Sequence, residues 1–226
     1  MILIQDVSKV YRLEAGEFFA LKNNNIQIQK GEFVAIMGPS GSGKSSVLRT
    51  IAGLWPGASG QLERPASDRL MFLPQRPYMT EGSLRDQLLY PYPDRGLSDA
   101  DIGEIISRVN LSEVFNRAEG DLDRVVDWSN ILSIGEQQRV AFARLFVRRP
   151  AFAFLDEATS ALDEENQREL YGMVKRSGIG FISVGHRASL VGFHDRVLLL
   201  DHSGSWEIKE ARAVQPAQFP PDEDAP

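Results

Sequence analysis

Phe33 to Gly53 read FVAIMGPSGSGKSSVLRTIAG, and the reading of this stretch decides the fold. FVAIM is a short continuous apolar run, suited to a strand buried on both faces of a mostly parallel sheet. Behind it, Gly38-Pro39-Ser40-Gly41-Ser42-Gly43-Lys44-Ser45 fits the pattern G-x-x-x-x-G-K-S/T. Val47, Leu48 and Ile51 then follow at helical spacing. Strand, glycine loop and helix form the context that gives this pattern its meaning. The glycines allow backbone angles closed to other residues, so successive N–H groups between Gly38 and Ser46 can converge on phosphate oxygens. Lys44 adds a positive charge for β- and γ-phosphates, and the Ser45 hydroxyl can bind Mg2+. A glycine-rich surface turn is the competing reading, and it leaves the flanking strand and helix without a purpose.

Further out, LMFL, AFAFL, FISV and VLLL are apolar runs of the same kind as FVAIM. Helix-like spacing recurs beside them, as at Leu170, Met173 and Val174. That alternation is α/β logic. ILIQDV and NIQIQ instead alternate apolar and polar residues, as half-buried antiparallel strands do. Between LMFL and AFAFL the pattern changes. A stretch rich in Pro and Tyr, YPYPDRG, precedes Ile102, Ile105, Ile106 and Val109, which fall on one helix face. A helical insertion over about residues 76–148 is therefore expected, within a core of about 1–75 and 149–212. The acidic, proline-rich tail, residues 213–226, reads as disordered.

Two more stretches carry chemistry. Asp156-Glu157 ends the AFAFL run, where carboxylates beside a phosphate loop can hold a metal and polarise a water. Asp156 suits Mg2+, and Glu157 suits the general base. An acidic pair capping the next helix is the plainer alternative. Leu132 to Arg139 read LSIGEQQR, a second small glycine turn running into a helix. Ser133 and Glu136 have the spacing of a capping box, and the turn can also hold an anion.

Composition narrows the partners. The 226 residues carry a net charge of -6 and no cysteine, which excludes disulfides and thiolate metal sites. An acidic chain of pI about 5.2 has no general pull toward nucleic acid, so no nucleic-acid partner is expected. No apolar run approaches the ~20 residues of a membrane span, and the start lacks the pattern of a signal peptide.

Taken together, these motifs resemble the ATP-binding cassette domain of ABC transporters over roughly residues 1–208. The family's order is kept. The phosphate loop is followed by FLPQRPY with Gln75, the signature LSIGEQQR, the Walker B run AFAFLDE, SALD (Ser160 to Asp163) and SVGHR with His186. The resemblance implies a P-loop NTPase core with a mostly parallel sheet, an N-terminal antiparallel β-subdomain and an inserted helical subdomain. It also implies ATP and Mg2+ as ligands, and ATP hydrolysis coupled to transport. Two cassettes associate head to tail, and each ATP lies between one copy's phosphate loop and the other's signature. The second glycine turn then serves a neighbour's nucleotide. In that arrangement Ser133 and Gly135 face the partner's γ-phosphate, and Asp163 crosses the interface. Ile134 and Glu136 depart from the commonest signature, L-S-G-G-Q; a carboxylate at Glu136 could repel a γ-phosphate, but close relatives that carry Gly-Glu here imply that it is tolerated. Gln75 touches Mg2+ or the lytic water, His186 orients that water with Glu157, and Tyr11 stacks on adenine. A strand tyrosine and a structural histidine are the alternatives for the last two.

A finer likeness, to subfamily D and bacterial peptide or cobalamin import relatives, rests on Trp55, Pro56, Tyr78, Tyr90, Pro91, Asp127 and Trp128. It implies a membrane permease as partner, a place on the cytoplasmic face of a membrane, and either one domain of a longer protein or a separate subunit. Other cassette classes remain as alternatives: a soluble ATPase acting on nucleic acid or the ribosome, or a nucleotide-gated regulator.

Overall fold

Nine strands and seven helices make up the computed structural model, which describes residues 1–13, 16–55, 58–92, 96–185, 188–202 and 205–214. The strands are β1 (Ile2–Leu13), β2 (Gly16–Ile28), β3 (Phe33–Met37), β4 (Ser59–Glu63), β5 (Leu70–Leu73), β6 (Phe152–Asp156), β7 (Gly180–Val184), β8 (Arg196–Leu200) and β9 (Trp206–Glu210). The helices are α1 (Lys44–Ile51), α2 (Leu84–Leu89), α3 (Asp99–Arg108), α4 (Ser112–Arg117), α5 (Trp128–Ile131), α6 (Ile134–Arg148) and α7 (Glu164–Arg176). They form two compact units, one of residues 1–72, 151–157 and 179 onward, the other of residues 73–150 and 158–178.

The first unit holds both sheets. A three-stranded sheet runs β2-β1-β4, and a six-stranded sheet runs β5-β6-β7-β3-β8-β9. β6, β7, β3 and β8 pair in parallel, and β9 closes the edge antiparallel to β8. Every residue of β3, β6 and β7 is buried, as the unbroken apolar runs require. Alternate residues of β3 serve different cores. Val34 and Ile36 join Val47, Leu48 and Ile51 of α1 and the inner faces of β1 and β2, while Ala35 and Met37 pack with Val197 and Ala211. Burying α1 in this way fixes the loop that precedes it.

The second unit is helical. Of the predicted helix face, Ile102, Ile106 and Val109 are each 2% exposed or less, and Ile105 is half-buried. α6 has apolar residues on almost every side, and Val140, Phe142, Ala143 and Leu145 are fully buried. α7 groups with these helices and buries Leu170, Met173 and Val174. Ser-Asp or Ser-Glu capping boxes start α2, α3 and α6.

Candidate functional site

In the first unit, the loop between β3 and α1 is built on glycines with positive φ, and one of them leaves no room for a side chain. Gly38 has φ +152°, and a Cβ there would lie 2.4 Å from the Leu200 carbonyl oxygen. Gly43 takes the left-handed conformation at the start of α1. Among the described helices of eight residues or more, α1 alone begins without a side-chain cap, whereas α3, α6 and α7 are each capped. Its first turn also has no acid. The N–H groups of that turn, and the positive end of the helix dipole, are left to an outside anion.

Lys44 is 5% exposed and folds back under the loop, donating to the Gly38 and Pro39 carbonyl oxygens at 2.8 Å each. Burial holds its pKa below the ordinary lysine value, and the charge of Glu157 acts in the opposite sense. Ser40 and Gly41 are exposed, and Ser42 is buried with no hydrogen-bond partner for its hydroxyl among the described residues.

The Ser45 hydroxyl donates to Oδ1 of Asp156 at 2.7 Å, which brings together residues 111 positions apart. Asp156 ends β6 and is 3% exposed. A hydroxyl and a carboxylate oxygen side by side are hard donors that fit Mg2+, an ion that completes its shell with water and substrate phosphates. Glu157 follows with φ +51°, a conformation that costs a non-glycine residue about 1–3 kcal/mol and gathers at functional sites. Its N–H is tied to the Val184 carbonyl oxygen.

The sequence reading missed Arg49. Its Nη2 donates to Oδ2 of Asp156 at 2.8 Å, and its guanidinium lies over the Trp55 ring at 5.5 Å. The signal was available: Arg49 stands four residues after Ser45, on the same side of α1.

In the second unit, the LSIGEQQR turn forms the capping box that its spacing predicts. Ser133 N and Oγ donate to Glu136 Oε2 at 2.9 and 3.0 Å, and Glu136 N donates back to Ser133 Oγ at 3.3 Å. Arg117 pairs with the same carboxylate. Burial pushes the pKa of Glu136 up, but the bonds from Ser133 and the charge of Arg117 outweigh it and hold the group below its ordinary value. The charge expected to repel a phosphate is thus already compensated. Gly135 packs tightly, since a Cβ there would lie 3.0 Å from the Ala161 carbonyl oxygen.

Asp163 is exposed and caps α7, accepting from Asn166 N and Nδ2 at 2.8 and 2.7 Å. Gln75 is exposed too, and its carbonyl oxygen accepts from Nε2 of the fully buried Gln138 at 2.9 Å. Gln138 was also missed. His186 and the side chain of Tyr11 lie outside the described residues. Of the residues behind the finer likeness, Trp128 is buried and donates to the Gly82 carbonyl oxygen, and the Tyr78 and Tyr90 rings meet at 5.5 Å.

The ABC transporter family profile matches residues 21–160, across the loop, α1, α6 and Asp156. This chain belongs to the ABC transporter family. Among its relatives, an uncharacterized ABC transporter ATP-binding protein of Synechocystis is 48% identical over 188 residues, covering 83% of this chain and 28% of the relative. The human lysosomal cobalamin transporter ABCD4 is 44% identical over 198 residues, covering 83% and 32%. Human ATP-binding cassette sub-family D member 3 is 41% identical over 195 residues, covering 84% and 29%. The chain thus spans under a third of the length of these relatives. A solved structure of a bacterial Atm1-family ABC exporter with ATP bound superposes with a TM-score of 0.80 at 25% identity, over 96% of this chain and 41% of that one. The sub-family D likeness read from the sequence is therefore carried by named relatives.

Proposed function

We propose that this chain is the ATP-binding and ATP-hydrolysing cassette of a membrane transporter, and that two cassettes share each nucleotide. The observation that carries the reading is the Ser45–Asp156 contact at the open end of α1. It joins a hydroxyl, a carboxylate and uncapped helix N–H groups, the set that a metal-bound triphosphate needs. Residues Gly38 to Ser46 wrap the phosphates, with Lys44 swinging from the loop carbonyls to the β- and γ-oxygens. Ser45, Asp156 and Gln75 would hold Mg2+, which would neutralise charge on the phosphate oxygens. Glu157 accepts the proton of the attacking water, His186 orients that water, and Tyr11 lies under adenine. From the second copy, Ser133, Gly135, Glu136 and Asp163 close over the γ-phosphate. Arg117 lets Glu136 serve there without repelling it. The permease partner, which the relatives' names as transporters support, and a place on the cytoplasmic face of a membrane belong to the same reading.

The test separates binding from chemistry. Glu157→Gln should lower kcat by about 10²–10⁴, as loss of a general base does, while keeping ATP affinity and trapping a dimer at saturating MgATP. Lys44→Ala should weaken ATP binding itself. Full turnover in Glu157→Gln removes Glu157 from the mechanism, and parent-like ATP affinity in Lys44→Ala removes the loop.

A further inference from the structure

Gln138 lies one turn into α6, in register with Ala141, Phe142 and Leu145 on a buried stripe, and is itself 0% exposed. An apolar residue of similar volume would satisfy that packing. What an apolar residue could not do is fill three polar valences. Nε2 donates to the Gln75 carbonyl oxygen at 2.9 Å and to Ser160 Oγ at 3.2 Å, and Oε1 accepts from Ala161 N at 3.1 Å. The amide's orientation is dictated by its neighbours, because a backbone carbonyl only accepts and a backbone N–H only donates. All three partners are in loops, one between β5 and α2, the other between β6 and α7. Ala161 is held twice, since its N–H goes to Gln138 and its carbonyl oxygen abuts Gly135, one turn earlier on the same helix.

We infer that Gln138 is a positioning residue that locks the Gln75 loop and the Ser160–Asp163 loop to the first turn of α6. Three residues that meet nucleotide in the proposed shared site, Gln75, Ser133 and Asp163, then move as one block within a chain. The inference rests on that shared-site reading for its consequence. Its structural half stands on the buried amide alone. Severing the amide frees both loops, leaves the phosphate loop untouched, and misaligns the face offered to the second copy.

Two measurements on the full chain test this. Hydrogen exchange without nucleotide should rise about tenfold or more over residues 74–78 and 158–163 in Gln138→Leu, because lost buried hydrogen bonds are worth at least that factor. Exchange over residues 140–148 should stay as in the parent. Should Gln138→Leu not fold, Gln138→Glu keeps the acceptor for Ala161 N and gives the Ser160 hydroxyl an acceptor to donate to in place of the lost donor, while the Gln75 carbonyl, which only accepts, loses its partner, so residues 74–78 should loosen more than residues 158–163. Exchange unchanged in the 74–78 segment refutes the lock. In the Glu157→Gln background, adding Gln138→Glu should raise the MgATP needed for dimerisation about tenfold, with a fluorescent ATP analogue bound as tightly as before. If Glu157→Gln dimerises and the double variant dimerises equally well, Gln138 has no positioning role. If Glu157→Gln itself stays monomeric, the shared-site reading falls, and the role of Gln138 toward the second copy falls with it.

Discussion

Arg49→Met tests the electrostatics of the phosphate site without touching a nucleotide-binding group. The carboxylate of Asp156 is 5% exposed and has two partners, the Ser45 hydroxyl on one oxygen and Arg49 on the other. Methionine keeps the unbranched aliphatic stem, so what goes is the guanidinium, with both its charge and its place over the Trp55 ring. Breaking a fully buried ion pair from one side costs about 3–5 kcal/mol, because the remaining charge is stranded. Arg49 is 39% exposed, so water screens the pair and the figure must come down toward that of surface pairs. About 2 kcal/mol is the expected loss, with Ser45 still donating one bond. For a chain of this size that corresponds to a fall in Tm of about 4–8 °C. Thermal unfolding followed by circular dichroism at neutral pH, with chelator and without nucleotide, reads this directly. The decisive arm is Arg49→Met combined with Asp156→Asn. If a stranded charge is the cause, removing that charge restores much of the lost stability, and the two substitutions are far from additive. A double variant no more stable than Arg49→Met alone, or a single variant that melts with the parent, refutes the argument.

Two further outcomes follow from the loops. Gly38→Ala sets a Cβ 2.4 Å from the Leu200 carbonyl oxygen at φ +152° and should cost about 3 kcal/mol and weaken ATP binding, whereas Gly41→Ala meets nothing within 4 Å and should cost about 1 kcal/mol; equal Tm losses in the two variants would remove the close approach as the cause. Glu136→Ala breaks the capping box and the pair with Arg117, for about 1 kcal/mol at neutral pH. Because the folded-state pKa of Glu136 is held below the unfolded value of about 4.3, that contribution is full above the unfolded value and disappears as pH falls through the folded one. Melting curves of parent and variant should converge in acid, and a gap that persists there contradicts the assignment.

How much of this was legible depends on where the signal is stored. β3, β6, β7 and β8 were readable because a parallel strand buried on both faces is apolar almost throughout, and β5 was readable from an apolar run of the same kind. The β1–β2 pair was readable from alternation, and the capping box from the Ser133–Glu136 spacing. β4 and β9 were not readable. SGQLE and WEIKE lie on the edges of their sheets, with most residues exposed or half-buried, so pairing rather than composition makes them strands. The polar residues that organise the sites were the hardest. Arg49 reaches a carboxylate 107 positions away, and Gln138 reaches a carbonyl 63 positions away. No local pattern encodes such distances. Gln138 left only an anomaly, a polar side chain in a helical register otherwise given to core, and Arg49 left only its place one turn after Ser45.

Arg144 extends that lesson along α6. It is 5% exposed, and burial lowers its pKa to about 10, with the Tyr90 hydroxyl acting in the opposite sense. In place of a carboxylate it meets carbonyls. Nε donates to Gln87 O at 2.6 Å and Nη1 to Tyr78 O at 2.7 Å, while the Tyr90 ring lies 5.2 Å from the guanidinium carbon. A buried charge solvated by backbone oxygens and, at 3.5 Å, by the Gln87 side-chain oxygen is costly to keep, so the segment that supplies those oxygens is bound as firmly as the charge demands. Gln138 and Arg144 therefore grip the same stretch of chain, from Gln75 to Tyr90, from two points on one helix whose first turn is the signature. A helix buried on nearly every side also grips by close packing. Hydrogen bonds to named carbonyls add directional contacts at fixed positions, and they join the signature turn and the Gln75 loop into a single part.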